Sequence, residues 1–417
     1  MSETVPPPAI VRGTPAFRRM NLALVAGGLA TFAQLYSVQP LLPVFARTFH
    51  LDAASASLAV SVASMTMAAA LLFTGVVADR TDRRLIMVTA MVAAALLTLA
   101  ASVAPTWPLL LAARALTGLA LAGVPAVALT YIGEEVDAGS IGLAVGMHIG
   151  GNVFGGMAGR LVMGVVADQL GWRVAIAMVG VLGLAAAILM GATLPPSRRF
   201  QPRTRPLGAA FKALAIPFRD KGLPWLFLLS FLCMGAFITV YNYIGFRLLA
   251  PPYNLSQSVV GLVFVCYLLG MVSSAFIGDL AGKLGRRKVL WAAIAGMGVG
   301  VGLTAFRSLP LVVLGIAVLT FAFFAVHSVA SSWVGRRAGP ARAEASAIYL
   351  FCYYLGASVV GTLGGYGWTH FGWTGVVGFL GALLVAALAV SVGLAFLQPL
   401  PGNEPPARKM GRKAVDS

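Results

Sequence analysis

Long apolar runs separated by short gaps rich in arginine and lysine follow one another along almost the whole chain. Twelve runs are long enough to be read as helices crossing a bilayer, which takes roughly 20 consecutive apolar residues. They cover 21–45, 55–78, 85–104, 108–132, 141–167 and 174–194, then 223–249, 258–281, 289–306, 311–334, 343–368 and 374–397. The runs are continuous and lack the period of two of a lipid-facing strand, which argues against a transmembrane barrel. The longest polar gap falls between the sixth and seventh runs. The predicted fold class is therefore all-α integral membrane. A six-helix bundle over 1–194 and a second over 223–397 are joined by a linker at 195–222 and followed by a tail at 398–417.

Composition strengthens this picture. Of 417 residues, 59% are hydrophobic and 10% charged, against about 25% charged in soluble domains, and the mean hydropathy is +0.89. The formal charge of +17 does not imply a nucleic-acid partner, because that needs a basic face on a soluble domain, and here the basic residues lie between apolar runs. They sort by gap. Arg12, Arg18 and Arg19, Arg80 with Arg83 and Arg84, the linker, Lys283 with Arg286 to Lys288, Arg336 with Arg337 and Arg342, and the tail share one side; Arg47, Arg173, Arg247 and Arg307 hold the other. The positive-inside rule then puts both termini and the linker in the cytoplasm of a bacterial-type inner membrane. The first run is too long for a signal-peptide core and is expected to remain as a span. Cys233, Cys266 and Cys352 lie inside apolar runs, with no disulfide or metal-ligand spacing, so neither metal nor cofactor is expected. No His-Glu-x-x-His, nucleophile–base set or phosphate-binding loop is present, which argues against an enzyme or an ATP-driven pump.

The two halves repeat. Residues 75–84 read Gly-Val-Val-Ala-Asp-Arg-Thr-Asp-Arg-Arg at the end of the second run, and residues 278–287 read Gly-Asp-Leu-Ala-Gly-Lys-Leu-Gly-Arg-Arg at the end of the eighth; Gly171-Trp172 and Gly372-Trp373 each precede the last run of a half. Parallel repeats of this kind place a substrate cavity at their interface. On these residues the chain resembles the major facilitator superfamily, and over its length the drug:proton antiporter branch of twelve-helix exporters. Gly75, Asp79, Arg80, Arg83 and Arg84 match the family's loop motif, with Asp82 where its second glycine stands. Gly278, Asp279, Gly285 and Arg286 form the second copy. The resemblance implies that these residues latch the halves together. Arg114 and Gly118 in the fourth run are similar to an element whose arginine is linked with proton coupling. Gly146, Gly150, Gly155 and Gly156 in the fifth run resemble the antiporter motif, although its Gly-Pro pair is replaced by Gly150-Gly151. Members of the family usually act as monomers.

No Asp or Glu lies near the middle of a run, so a coupling proton needs another carrier. His148 and His327 are the candidates, since histidine titrates near neutrality; His327 is favoured as protonatable or substrate-contacting and His148 as structural. Polar side chains are costly in lipid and are expected to face a cavity. That set comprises Gln34, Tyr36 and Gln39, Asn152, Tyr241 and Asn242 with Tyr243, and Tyr349 and Tyr353. Arg114 and Arg160 are the deep charges, which favours a neutral or anionic substrate. The expected function is secondary active transport, with proton-coupled export of small molecules by alternating access; the alternative is an importer or facilitator of a sugar or small organic anion. The expected partners are a small-molecule substrate, protons and membrane lipid.

Overall fold

The computed structural model describes residues 8–202 and 206–396, so the tail at 398–417 lies outside the described residues. Helices account for nearly all of it, and the chain passes back and forth twelve times. Span 1 is Pro15–Tyr36 continued by Leu42–Thr48, span 2 Ala53–Arg80, span 3 Arg83–Ser102, and span 4 Trp107–Leu121 continued by Pro125–Glu135. Spans 5 and 6 are Ile141–Leu170 and Trp172–Thr193, and span 7 is Leu223–Leu249. Span 8 is Gln257–Leu284, with spans 9 and 10 at Arg286–Leu303 and Leu309–Arg337. Spans 11 and 12 share the helical run Arg342–Gly393, interrupted at Gly372. Among the described residues nine helices are individually long and apolar enough to cross a membrane. Ile10, near the start of the described chain, and Arg199 of the linker both bond Glu135 at the end of span 4, and the face they share is called here the linker face.

Two expected runs are broken, for the same reason. Pro40 and Pro43 have no N–H to give the carbonyls one turn back, so the first helix stops at Tyr36 and a 3-10 turn, Gln39–Leu41, bridges to Leu42. Pro125 ends the regular part of span 4 at Leu121. The repeated Gly-Trp pairs have a structural role: Gly171 at φ +84° and Gly372 at φ +59° adopt the left-handed backbone that lets the chain turn between the fifth and sixth, and eleventh and twelfth, spans. In the linker, a short helix, Leu207–Leu214, leads to Asp220, which accepts two hydrogen bonds from Arg337 at 2.6 and 2.9 Å. Burial alone would raise the Asp220 carboxyl, but the Arg337 bonds and the Gly222 and Leu223 amides hold it below the usual range.

Within lipid there is little hydrophobic drive to bring helices together, so close approach depends on small residues. Span 5 packs against span 1 through Gly151, Gly155 and Gly159, one turn apart: added methyl groups there would overlap Val25, Leu29 and Ala33 backbone. Gly118 meets the Ala63 carbonyl of span 2 in the same way, whereas Gly146, Gly150 and Gly278 face open space. Gly155→Val should therefore lower the unfolding midpoint of the detergent-solubilised protein by several degrees, since overpacking costs about 1–3 kcal/mol. Gly146→Ala should leave it unchanged in the same fluorescence melting experiment.

Candidate functional site

A cavity of about 340 Å³ lies between the halves. Its wall takes residues from spans 1, 2, 4 and 5 of the first half and from the equivalent spans 7, 8, 10 and 11 of the second. Span 5 contributes His148, Asn152, Gly156 and Arg160, a stripe at i, i+4 spacing that keeps one face of a helix together. The rest is mainly aromatic, including Phe32 and Tyr36, Phe237, Tyr267, Phe324, Tyr353 and Tyr354. Among the described residues no Asp or Glu lines it. Toward the linker face, Leu129 and Ile149 on its wall are 45% and 48% exposed, so the cavity opens that way.

The opposite end is closed by hydrogen bonds that cross between the halves. Gln39 Nε2 donates to Asn242 Oδ1 at 2.7 Å, and both residues are 1% exposed. Gln257 donates to the Pro40 carbonyl, a group left without a helical partner by the break in span 1. Ser258 Oγ donates to Asp168 at 2.7 Å, and Thr362 Oγ1 to Ser61 Oγ at 2.8 Å. Backbones touch here too: a methyl group on Gly365 would overlap Ala54, and Gly164 packs on Gly261. The seal is imperfect, because Asn242 Nδ2 and Gln257 Oε1 are buried without partners.

The two buried arginines have different surroundings. Arg114, 1% exposed, donates Nε to the Ala59 carbonyl at 3.0 Å, Nη1 to Gln34 O at 2.8 Å and Nη2 to Leu35 O at 2.5 Å. Those last two carbonyls belong to the end of the broken first helix, where the final turn leaves acceptors unpaired and a cation is favourable. Arg114 thus lies inside the first half, off the cavity wall. Arg160 lies on the wall. Its Nε donates to Gln39 Oε1 at 2.7 Å and its Nη1 to the Gly156 carbonyl at 2.7 Å, while the guanidinium lies 4.5 Å from the Tyr36 ring, 4.7 Å from Tyr267 and 5.3 Å from Phe264.

The other polar residues singled out in the sequence divide into three groups. Tyr36, Asn152, His327 and Tyr353 line the cavity. His327 Nδ1 shares a hydrogen bond of 3.1 Å with Tyr349, and its ring lies beside Tyr353 and over Phe323. His148 Nδ1 is 3.1 Å from the Leu24 carbonyl, an acceptor only, so this nitrogen carries the proton. Gln39 and Asn242 form the seal. Gln34 and Tyr241 do neither: Gln34 accepts from Thr98 at 3.0 Å inside the first half, and Tyr241 bonds Thr320 at 2.7 Å inside the second. Tyr243 donates to the Gly361 carbonyl. Arg160 and Tyr267, absent from the candidate set, are central here; the four-residue spacing of His148, Asn152, Gly156 and Arg160 was the available signal.

The loop motif mostly organises its own half. Gly75 is helical, Asp79 half-buried and Arg80 exposed at the end of span 2. Asp82 caps span 3 by accepting from the Leu85 amide at 2.9 Å, a role favoured for Asp and closed to the glycine it replaces. Arg83 grips Glu134 with two bonds, at 3.1 and 2.8 Å, and Arg84 donates to the Gly191 carbonyl. In the second copy Asp279 pairs with Lys283 in the open, and Gly285, at φ +88°, precedes Arg286 at the start of span 9.

A twelve-span helical protein with a cavity between repeated halves is a multi-pass membrane transporter. The sequence profile of the Major Facilitator Superfamily matches residues 24–251 and 226–416, and the chain belongs to that family. It is 44% identical over 385 residues to the inner membrane transport protein YnfM of Escherichia coli strain K12, covering 92% of each chain. It is 43% identical over 386 residues to the uncharacterized MFS-type transporter YybF of Bacillus subtilis strain 168, covering 93% of this chain and 96% of the other. Among solved structures, the inward-facing, occupied form of a bacterial homologue of the human lysosomal transporter Spinster superposes with a TM-score of 0.75 at 15% identity, covering 92% and 97% of the two chains. The nucleoside transporter NupG does so with 0.74 at 18%, covering 90% and 99%. These two likenesses concern the fold.

The contacts of Arg114 lead to a stability prediction. Arg114→Met strands the two buried carbonyls of Gln34 and Leu35 at the end of the first helix, each costing about 1–3 kcal/mol, and should lower the detergent melting midpoint markedly. Tyr241→Phe loses one hydrogen bond and should lower it by about 1 kcal/mol equivalent or less. Equal melting of both variants would contradict the structural role given to Arg114.

Proposed function

We propose that the chain is a secondary active transporter of the inner membrane that exports small organic molecules against protons by alternating access. The observation that carries the reading is the position of the cavity, walled by equivalent spans of both halves and separated from one face by a seal of cross-half hydrogen bonds. In such repeats, access alternates when one half rocks on the other, here 1–194 against 223–397 with 195–222 as the hinge-spanning linker. The linker face carries most of the Lys and Arg residues, which makes it cytoplasmic by the positive-inside rule and makes this an inward-open state. The E. coli relative carries the name of an inner membrane protein. Export as the direction, and membership of the drug:proton antiporter branch, rest on the glycine-rich fifth span and its resemblance to the antiporter motif.

With no carboxylate among the described residues of the cavity wall, a proton must be carried by another group, and His327 is the best placed. Its Nδ1 bonds Tyr349, leaving Nε2 for a proton or a substrate, and it stands on the cavity wall. Purified protein in liposomes loaded with a pH-sensitive dye tests this. Proton movement should depend on one class among anionic, neutral and cationic compounds, and His327→Ala should abolish it by tenfold or more while His148→Gln retains it. A compound that crosses at the same rate with and without a proton gradient would replace antiport by facilitated diffusion.

A further inference from the structure

Resting on the reading of this cavity as the transport site, the geometry points to a substrate class: an organic anion with a planar apolar body, its carboxylate or equivalent group held by Arg160. A buried charge with no counter-ion is expensive in a membrane protein. Arg114 meets this demand with three carbonyls, two of them at a helix end, and lies off the cavity wall. Arg160 is also buried, yet stands on the cavity wall, and its hydrogen-bond acceptors are neutral, a glutamine side chain and a peptide carbonyl. Among the described residues the wall offers no Asp or Glu to complete it. Three ring faces flank the guanidinium and hold its plane, and a planar fork of N–H groups suits a carboxylate. The counter-ion that the site lacks is one that the cavity can deliver.

Around this charge the wall is mainly aromatic and apolar, so the remainder of the ligand should be flat and hydrophobic. A volume of about 340 Å³ is at the small end for ligand sites and suits one or two fused rings. The same guanidinium donates to Gln39, which in turn donates to Asn242 across the halves. A carboxylate on Arg160 competes with Gln39 for Nε–H, and thereby draws on the bond chain that holds the far side shut.

Calorimetric titration of the full-length protein in detergent with benzoate and 1-naphthoate, beside benzamide, 1-naphthamide and benzylamine, tests the assignment. The carboxylates should bind at least about tenfold tighter than their amides, as expected for a charge-assisted hydrogen bond. That gap should collapse in Arg160→Gln with amide binding within about threefold of wild type. Gln39→Glu, which builds a carboxylate beside the guanidinium, should collapse it too without removing the arginine. Equal binding of carboxylate and amide by the wild-type protein overturns the proposal. So does a gap that survives in Arg160→Gln, or one that disappears only in His327→Ala. Liposome flux of the same compounds reports separately: a carboxylate preference without flux leaves the anion site standing and counts against transport, and flux without the preference does the reverse.

Discussion

A guanidinium inside a bilayer has to find acceptors within the protein, and the fixed and movable parts of this molecule follow from how two arginines do so. Arg114 takes the carbonyls freed where Pro40 and Pro43 stop the first helix. The break and the arginine compensate each other: without the cation the helix end is unsatisfied, and without the break the cation keeps only the Ala59 carbonyl of span 2. All its partners lie within the first half. Arg160 instead reaches Gln39, which bonds the second half. One arginine holds a bundle together, and the other sits where the bundles meet.

That placement gives the seal its character. Its bonds are few and mostly between neutral side chains, and two buried polar atoms within it are unpaired, each at a cost of about 1–3 kcal/mol. Backbone contacts through Gly164, Gly261 and Gly365 add close packing, but these are contacts that two rigid surfaces can release together. The proposed alternating access needs two arrangements differing by only a few kcal/mol, and a seal built this way suits that requirement. The bond of Arg83 with Glu134 inside the first half and that of Arg337 with Asp220, which ties span 10 to the linker, have charge and bidentate geometry and hold more firmly than the seal does.

Most of the architecture was legible in the sequence, because lipid leaves a chain few options. Twelve apolar runs mark twelve passages, and the repeated loop motif marks equivalent positions. The breaks in spans 1 and 4 were harder to foresee, although their prolines were visible, because an apolar run carries no sign that its helix is interrupted. Polarity alone did not locate the site. Gln34 and Tyr241 are as polar as Gln39 and Tyr353, but a buried polar side chain can satisfy itself inside one bundle as readily as at a cavity. Spacing carried more information: Gly151, Gly155 and Gly159 on one face of span 5 mark its contact with span 1, and His148, Asn152, Gly156 and Arg160 on the next mark the cavity wall. The loop-motif Asp82 had a local explanation, as the cap of span 3, that a family comparison alone did not supply.

The central claim is that the seal on the far face and the opening on the linker face exchange as the halves move. Electron–electron resonance distances measured in liposomes, in a background with the three native cysteines replaced by serine, test it with two label pairs. One joins Thr48→Cys to Arg307→Cys on the far face; the other joins Ala138→Cys to Leu284→Cys on the linker face, all four sites being exposed. The account predicts that weakening the seal with Gln39→Ala lengthens the first distance and shortens the second in the same population of molecules. Two distances that stay fixed, or that lengthen together, would contradict it.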